Sequence, residues 1–264
     1  MITQLNGIAL SYDDVGSGLP IVFLHAFPLD RSMWGPQVGA LVRQGRCIAL
    51  DLRGFGASTA APPYSMDQYA DDVAALLEAL DIGPAVVVGL SMGGYVAFAF
   101  WRRHRVHVRA LVLADTRAGP DTSEGREKRR RLIEVARSRG AATVADMQIG
   151  SMVGETTRER RPEIVEAIRA MMAAAPVDGI IGALEAMMAR PDSTPTLPTI
   201  DVPTLVLVGE EDTLTPRTEA QVLHGRIRGS RLEIIDQAAH ICNLERPAAF
   251  SHLVSEFVEG VALG

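Results

Sequence analysis

The sequence predicts an α/β protein built on a doubly wound, mostly parallel sheet with a block of helices inserted into it. Three observations carry this prediction. Short continuous apolar runs, among them Ile21 to His25, Ala85 to Leu90 and Val108 to Ala114, have the length and β-branched content of strands buried on both faces. Segments with apolar residues at helical spacing separate these runs, which is the rhythm of parallel strands joined by crossover helices. From Gly119 to about Leu197 the alternation stops, and only amphipathic helical segments divided by Gly and Pro remain.

Taken in order, Ile2 to Val15 alternates and breaks at Asn6-Gly7, a strong short hairpin signal, so two antiparallel strands open the chain. Ile21 to His25 follows as a buried strand and ends in His25-Ala26-Phe27-Pro28, with a helix expected over Trp34 to Val42. Cys47 to Leu52 is the next strand and leads into the glycine-rich loop Arg53-Gly54-Phe55-Gly56-Ala57-Ser58. Met66 to Leu80 reads as a helix stopped by Gly83-Pro84. In the inserted region, Ile164, Val165, Ile168, Met171 and Met172 fall on one helix face, and Ile180, Ile181, Leu184, Met187 and Met188 repeat the pattern. The proline-rich stretch Pro191 to Pro203 returns the chain to the sheet. Thr204 to Val208 and Leu232 to Ile235 are the last strands, with a helix near Pro216 to Leu223 between them and a closing helix over Pro247 to Val258. The expected organisation is a core of residues 1–118 and 198–264, with residues 119–197 as a helical cap over the carboxyl ends of the strands.

The chemistry centres on Gly89-Leu90-Ser91-Met92-Gly93, where a Val-rich strand meets an apolar segment running from Met92 to His104. Ser91 therefore sits on a strand-to-helix corner too tight for side chains at its flanking glycines. Such a corner lifts the hydroxyl off the sheet and turns the amides of the helix start toward the same space.

Composition bounds the alternatives. A hydrophobic fraction of 47% supplies a core, and a net charge of −6 argues against nucleic acid as a partner. The basic run Arg126 to Arg131 lies among acids and reads as a solvated helix face. No apolar run is long enough to span a membrane, and Met-Ile-Thr-Gln-Leu-Asn-Gly lacks the basic flank and apolar core of a signal peptide, so a cytoplasmic protein is expected. The two cysteines, Cys47 and Cys242, read as reduced packing residues, and no nucleotide fingerprint or metal-ligand cluster stands out, so no cofactor or metal is expected. Monomer and homodimer are equally compatible with these features.

A serine hydroxyl needs a base within hydrogen-bond reach and a third group to orient that base. His240 follows the last strand and precedes Asn243-Leu244-Glu245-Arg246-Pro247. The other histidines have structural readings: His104 and His107 flank the start of a strand on the opposite edge of the sheet, His224 lies near a helix end, His252 is in the closing helix, and His25 braces its loop. For the acid, Asp212 stands in Gly209-Glu210-Glu211-Asp212-Thr213-Leu214-Thr215-Pro216 at the end of the penultimate strand, and Asp115, at the end of the strand after the elbow helix, competes with it. Glu210 and Glu211 read as solvent-facing.

The elbow, together with His25-Ala26-Phe27-Pro28-Leu29-Asp30 and Asp51-Leu52-Arg53-Gly54-Phe55-Gly56, resembles the α/β-hydrolase superfamily, and within it the small bacterial carboxylesterases and 3-oxoadipate enol-lactonases. The resemblance spans essentially the whole chain. It implies the order Ser91, Asp212, His240 and an oxyanion hole formed by the amides of Met92 and of a residue in the 25–28 loop. Ala26 stands where the family usually has glycine, and Pro28 has no amide hydrogen, which leaves Phe27 as the second donor. Serine at the elbow disfavours the dehalogenases and epoxide hydrolases of this fold, which use aspartate there.

Hydrolysis of small apolar acyl or aryl esters is thus the expected activity, with an enol-lactonase, a cofactor-free haloperoxidase and a small-molecule receptor as alternatives. Met147, Met171, Met172, Met187 and Met188 give the cap an adaptable apolar face, and Met147, Met171 and Met188, with Trp34 from the core, are the expected substrate contacts. A lactonase would need a cation for its anionic substrate, and Arg117 is the candidate.

Overall fold

The computed structural model describes residues 1–263. Strands β1 (Ile2–Leu5) and β2 (Ile8–Val15) form the opening hairpin, turning through Asn6 and Gly7 at φ of 49° and 75°. They are followed by β3 (Leu19–Leu24), β4 (Gly45–Leu50), β5 (Ala85–Leu90), β6 (Val108–Ala114), β7 (Thr204–Gly209) and β8 (Arg231–Ile235). One eight-stranded sheet results, in the order β1-β2-β4-β3-β5-β6-β7-β8, and only β2 runs against the rest. The chain leaves β3 toward β4 and then crosses back to β5 on the other side of β3. The carboxyl ends of β3 and β5 therefore flank the point where the winding reverses, the place where open α/β sheets bind ligands.

The helices are α1 (Gly35–Leu41), α2 (Met66–Ala79), α3 (Met92–His104), α4 (Ser123–Met152), α5 (Glu155–Arg160), α6 (Pro162–Ala173), α7 (Val177–Ala189), α8 (Arg217–Arg226), α9 (Cys242–Glu245) and α10 (Pro247–Leu263). Side chains of β5 alternate between two cores, as a pleated strand requires. Val87 joins Tyr69, Phe98 and Leu223 from α2, α3 and α8. Val86 and Val88 face Leu41 of α1 and Phe250 and Val254 of α10.

All four helices between β6 and β7 belong to the inserted stretch, and no strand occurs there. Thr122 caps the first of them, its side chain accepting from the Gly125 amide at 3.0 Å. Gly140, at φ 80°, breaks α4 into two segments, and the helix packs against both α6 and α7. α7 approaches the core so closely that a β-carbon on Gly179 would meet the carbonyl of Gly54. The two predicted apolar faces become α6 and α7. The strand that follows His104 and His107 is not at an edge: β6 lies inside the sheet, and these histidines sit at its amino end, away from Ser91.

Candidate active site

The corner between β5 and α3 holds Ser91 at φ 55°, ψ −111°, a backbone conformation that L-residues rarely adopt. The Ser91 amide donates to the Ala114 carbonyl at the end of β6 (2.9 Å), and its own carbonyl accepts from the Thr116 hydroxyl (2.8 Å) and the Gly94 amide (3.0 Å). A β-carbon at Gly93 would collide with the Leu24 carbonyl, so glycine there is dictated by the close passage of β3.

Loops after β7 and β8 bring the remaining groups. The Ser91 hydroxyl lies 2.7 Å from His240 Nε2, and His240 Nδ1 lies 2.9 Å from Asp212 Oδ2. Asp212 also accepts from the Thr215 hydroxyl (2.6 Å) and from the amides of Leu214 (2.8 Å) and Thr215 (3.1 Å). Burial alone would raise its pKa, but the adjoining His240 and the Thr215 hydrogen bonds outweigh burial and hold the carboxyl well below the usual range. Its four lone-pair positions are thus all occupied, which fixes the carboxylate in place beside the imidazole.

Asp115 is 1% exposed and takes no part in this chain. One of its oxygens accepts from the Gly209 amide at 2.8 Å, while the other is buried without a partner. Burial, with the nearby Asp212 carboxylate adding to it, pushes Asp115 well above the ordinary carboxylate range. Cys242, buried beside it, is pushed up for the same first reason and by Asp115 itself.

The loop after β3 supplies the other side. Neither the Phe27 nor the Met92 amide has a protein acceptor among the described residues, and the Phe27 ring meets Phe55 edge-on at 6.3 Å. His25 accepts from the Leu52 amide through Nε2 (3.0 Å), so Nδ1 carries the proton and donates to the Ala26 carbonyl (2.9 Å). Burial lowers the pKa of this imidazole, and it braces the loop as a neutral ring.

A cavity of about 100 Å³ opens over Ser91 and His240, lined also by Phe27, Tyr95, Met152, Met187 and Leu214 and by the polar or charged Arg117, Arg129, Gln148 and Thr215. The structure does not bring the four expected substrate contacts to it. Trp34 is fully buried between Phe23 and Phe250 on the other face of the sheet. Met147 is 57% exposed. Met171 packs with the second core and receives a 3.7 Å contact from the Ser32 hydroxyl, and Met188 packs against the first core. Met187 and Met152 take their places at the cavity.

Two further readings are corrected. Arg129 does not belong to a solvated face: its guanidinium turns inward to Asp121 (2.5 Å) and lines the cavity. Glu211 is half-buried and binds the amide and hydroxyl of Thr156 at the start of α5. Tyr95, one helical turn after Ser91, and Thr215, three residues after Asp212, were within reach of sequence reasoning, because each lies close along the chain to a residue already singled out.

An open, mostly parallel sheet with a strained serine at the β5 to α3 corner, and a histidine and an aspartate delivered by its last two loops, defines the class of α/β hydrolases. The α/β-hydrolase fold family matches residues 20–247, and the chain belongs to that family. It is 32% identical to 3-oxoadipate enol-lactonase 2 of Acinetobacter baylyi over 254 residues, covering 94% of this chain and 92% of the relative. Among solved structures it is similar to a thermophilic esterase from Thermogutta terrifontis with malate bound (41% identity, TM-score 0.95, 99% and 97% of the two chains). It is also similar to the enol-lactonase from Burkholderia xenovorans LB400 (32% identity, TM-score 0.92, 98% and 100%). No helix among the described residues is long and apolar enough to cross a membrane.

Proposed function

We propose that this hydrolase cleaves carboxylic esters of small substrates through an acyl-serine intermediate. The carrying observation is the continuous hydrogen-bonded chain from the Ser91 hydroxyl through His240 to the saturated Asp212 carboxylate. In this reading His240 Nε2 takes the Ser91 proton as Oγ attacks the ester carbonyl, and Asp212 keeps the proton of the ring on Nδ1 and stabilises the imidazolium. The amides of Phe27 and Met92, which lack protein acceptors, receive the developing oxyanion. His240 then protonates the leaving alkoxide, and water, activated by the same imidazole, releases the acid. The inserted helices, through Met152 and Met187, act as a cap that limits the size of the acyl arm.

Lactone opening is the same chemistry on a cyclic ester, and the two enol-lactonase relatives support it as the second reading. The test is hydrolysis of p-nitrophenyl esters from acetate to decanoate beside 3-oxoadipate enol-lactone, with Ser91→Ala in parallel. Turnover of short esters that disappears in Ser91→Ala upholds the esterase, opening of the lactone alone moves the assignment to a lactonase, and turnover of neither removes both.

A further inference from the structure

The lining of the cavity over Ser91 is of two kinds. Phe27, Met152, Met187 and Leu214 contribute apolar side chains, whereas Arg117, Arg129, Gln148 and Tyr95 contribute cationic and polar ones. Arg117, Arg129, Gln148 and Leu214 also line an outer cavity of about 320 Å³, so the two arginines stand at the neck between the inner space and the outer one.

Charges around this neck do not balance. Arg129 and Arg190 share one carboxylate, that of Asp121, at 2.5 Å and 2.6 Å. Arg190 is buried behind the wall, its guanidinium 4.2 Å from the centre of the Tyr95 ring, and Arg126 spends its donor on the Asp121 carbonyl. Lys128 and Glu124 pair with each other at 2.8 Å. Arg117 holds the Leu214 carbonyl at 3.2 Å, has the Tyr95 side chain beside it and Glu219 at 4.0 Å, and its Nε is buried without a partner. The guanidinium groups of Arg117, Arg126, Arg129 and Arg190 thus face two carboxylates, those of Asp121 and Glu219, and an unpaired buried donor stands at the cavity wall. The Gln148 side-chain amide makes no protein hydrogen bond among the described residues and supplies a neutral donor beside them.

A planar guanidinium with free donors is matched by a carboxylate, which it binds with both charge and direction. We propose that Arg117, Arg129 and Gln148 form a carboxylate subsite, and that the substrates are linear half-esters of short dicarboxylic acids. The inference rests on Ser91 being the nucleophile. The ester carbonyl then lies at Ser91 with the methylene arm along Met152 and Met187, and the free carboxylate is held at the neck. The serine oxygen displaces the alcohol, water cleaves the acyl-serine bond, and a dicarboxylate and one proton are released with the alcohol. Long neutral acyl chains are disfavoured because they must push between two arginines.

The test compares monomethyl glutarate and monomethyl adipate with methyl valerate and methyl hexanoate. Labelling of Ser91 by a fluorophosphonate is measured in parallel, and glutarate binding to Ser91→Ala is followed by calorimetry. The wild type is expected to favour each half-ester over its neutral counterpart by at least about tenfold in kcat/KM. Arg117→Gln brings that ratio close to one, chiefly through KM. Glu219→Gln, which removes the carboxylate 4.0 Å from the Arg117 guanidinium, raises it a few-fold. Glutarate binds Ser91→Ala, and Arg117→Gln in that background abolishes binding. A wild-type ratio at or below one, with Ser91 labelled and methyl valerate hydrolysed, overturns the subsite and leaves the hydrolase standing. Glutarate binding without labelling or turnover retains the subsite while removing the hydrolase reading, and absence of glutarate binding counts against the subsite in either case.

Discussion

The carboxylate of Glu245 accepts the amide of Gly154 at 2.8 Å, and through its other oxygen it accepts the amide of Ala239, the residue before His240, also at 2.8 Å. A single buried side chain therefore ties the loop of the base to the inserted helices. Glu211 makes the corresponding bond beside the acid, to Thr156, and Ile241 donates to the carbonyl of the cavity residue Met152 at 3.2 Å. Replacing Glu245 with alanine leaves two buried amides without acceptors, each worth about 1–3 kcal/mol. Glu245→Ala should lose about 2–6 kcal/mol in urea unfolding and, at temperatures where it stays folded, lose kcat more than KM. Unchanged unfolding would mean that water replaces both bonds.

Ser91 is held in its strained conformation by the elbow, and a β-carbon suffers there whatever follows it. Ser91→Ala removes the proposed nucleophile and should lower kcat by at least about 10³-fold while leaving the strain. Ser91→Gly should be equally inactive but about 1 kcal/mol more stable than Ser91→Ala, because glycine tolerates positive φ. Equal stability of the two variants in chemical denaturation would show that the elbow stores no strain at this position.

Asp115 and Asp212 give opposite pH signatures. Asp212 is depressed in the folded state, so its stabilisation is present above the ordinary carboxylate range and is lost as pH falls below it. Asp115 is raised, so the folded chain holds its proton where the unfolded chain does not, and stability declines as pH climbs from about 4 toward the raised value. Asp115→Asn keeps the acceptor for Gly209 and should flatten that decline while changing kcat by no more than a few-fold. Asp212→Asn should cut kcat by about 10⁴-fold through the wrong imidazole tautomer. Comparable losses of kcat in both variants would overturn this assignment of the acid.

Much of the fold was legible because its signals are local. Val86, Val87 and Val88 can only form a strand buried on both sides, and Asn6-Gly7 can turn a hairpin by itself. The convergence of Ser91, Asp212 and His240 was legible for a similar reason: each follows a strand, and the strands' carboxyl ends converge. The cavity wall was not. Residues 147 and 148, like 187 and 188, are successive on a helix and point about 100° apart, so which one faces Ser91 depends on how the helix is rotated. That rotation is set by the break at Gly140 and by the contact of Gly179 with Gly54, neither of which has a periodic signal in the sequence. Trp34 misled for another reason: a large aromatic near a strand end fits a pocket and a core equally well, and Phe23 and Phe250 enclose it here.

The Gly179 contact is itself open to test. Gly54 adopts φ 88° in the loop after β4, and its carbonyl occupies the place a Gly179 side chain would need, with Tyr64 filling the same role against Gly182. Backbone on both sides leaves no flexible group to yield, so one methyl at residue 179 must move α7 away from the core. The overpacking should destabilise by about 1–3 kcal/mol. Because Met187 lies on the same helix and lines the cavity, the shift should also raise KM for short esters while leaving Ser91 labelling by a fluorophosphonate intact. Gly182→Ala presses on a tyrosine ring instead and should be milder on both counts. If Gly179→Ala matched the wild type in stability and KM, the insertion would not be seated on the core through this contact.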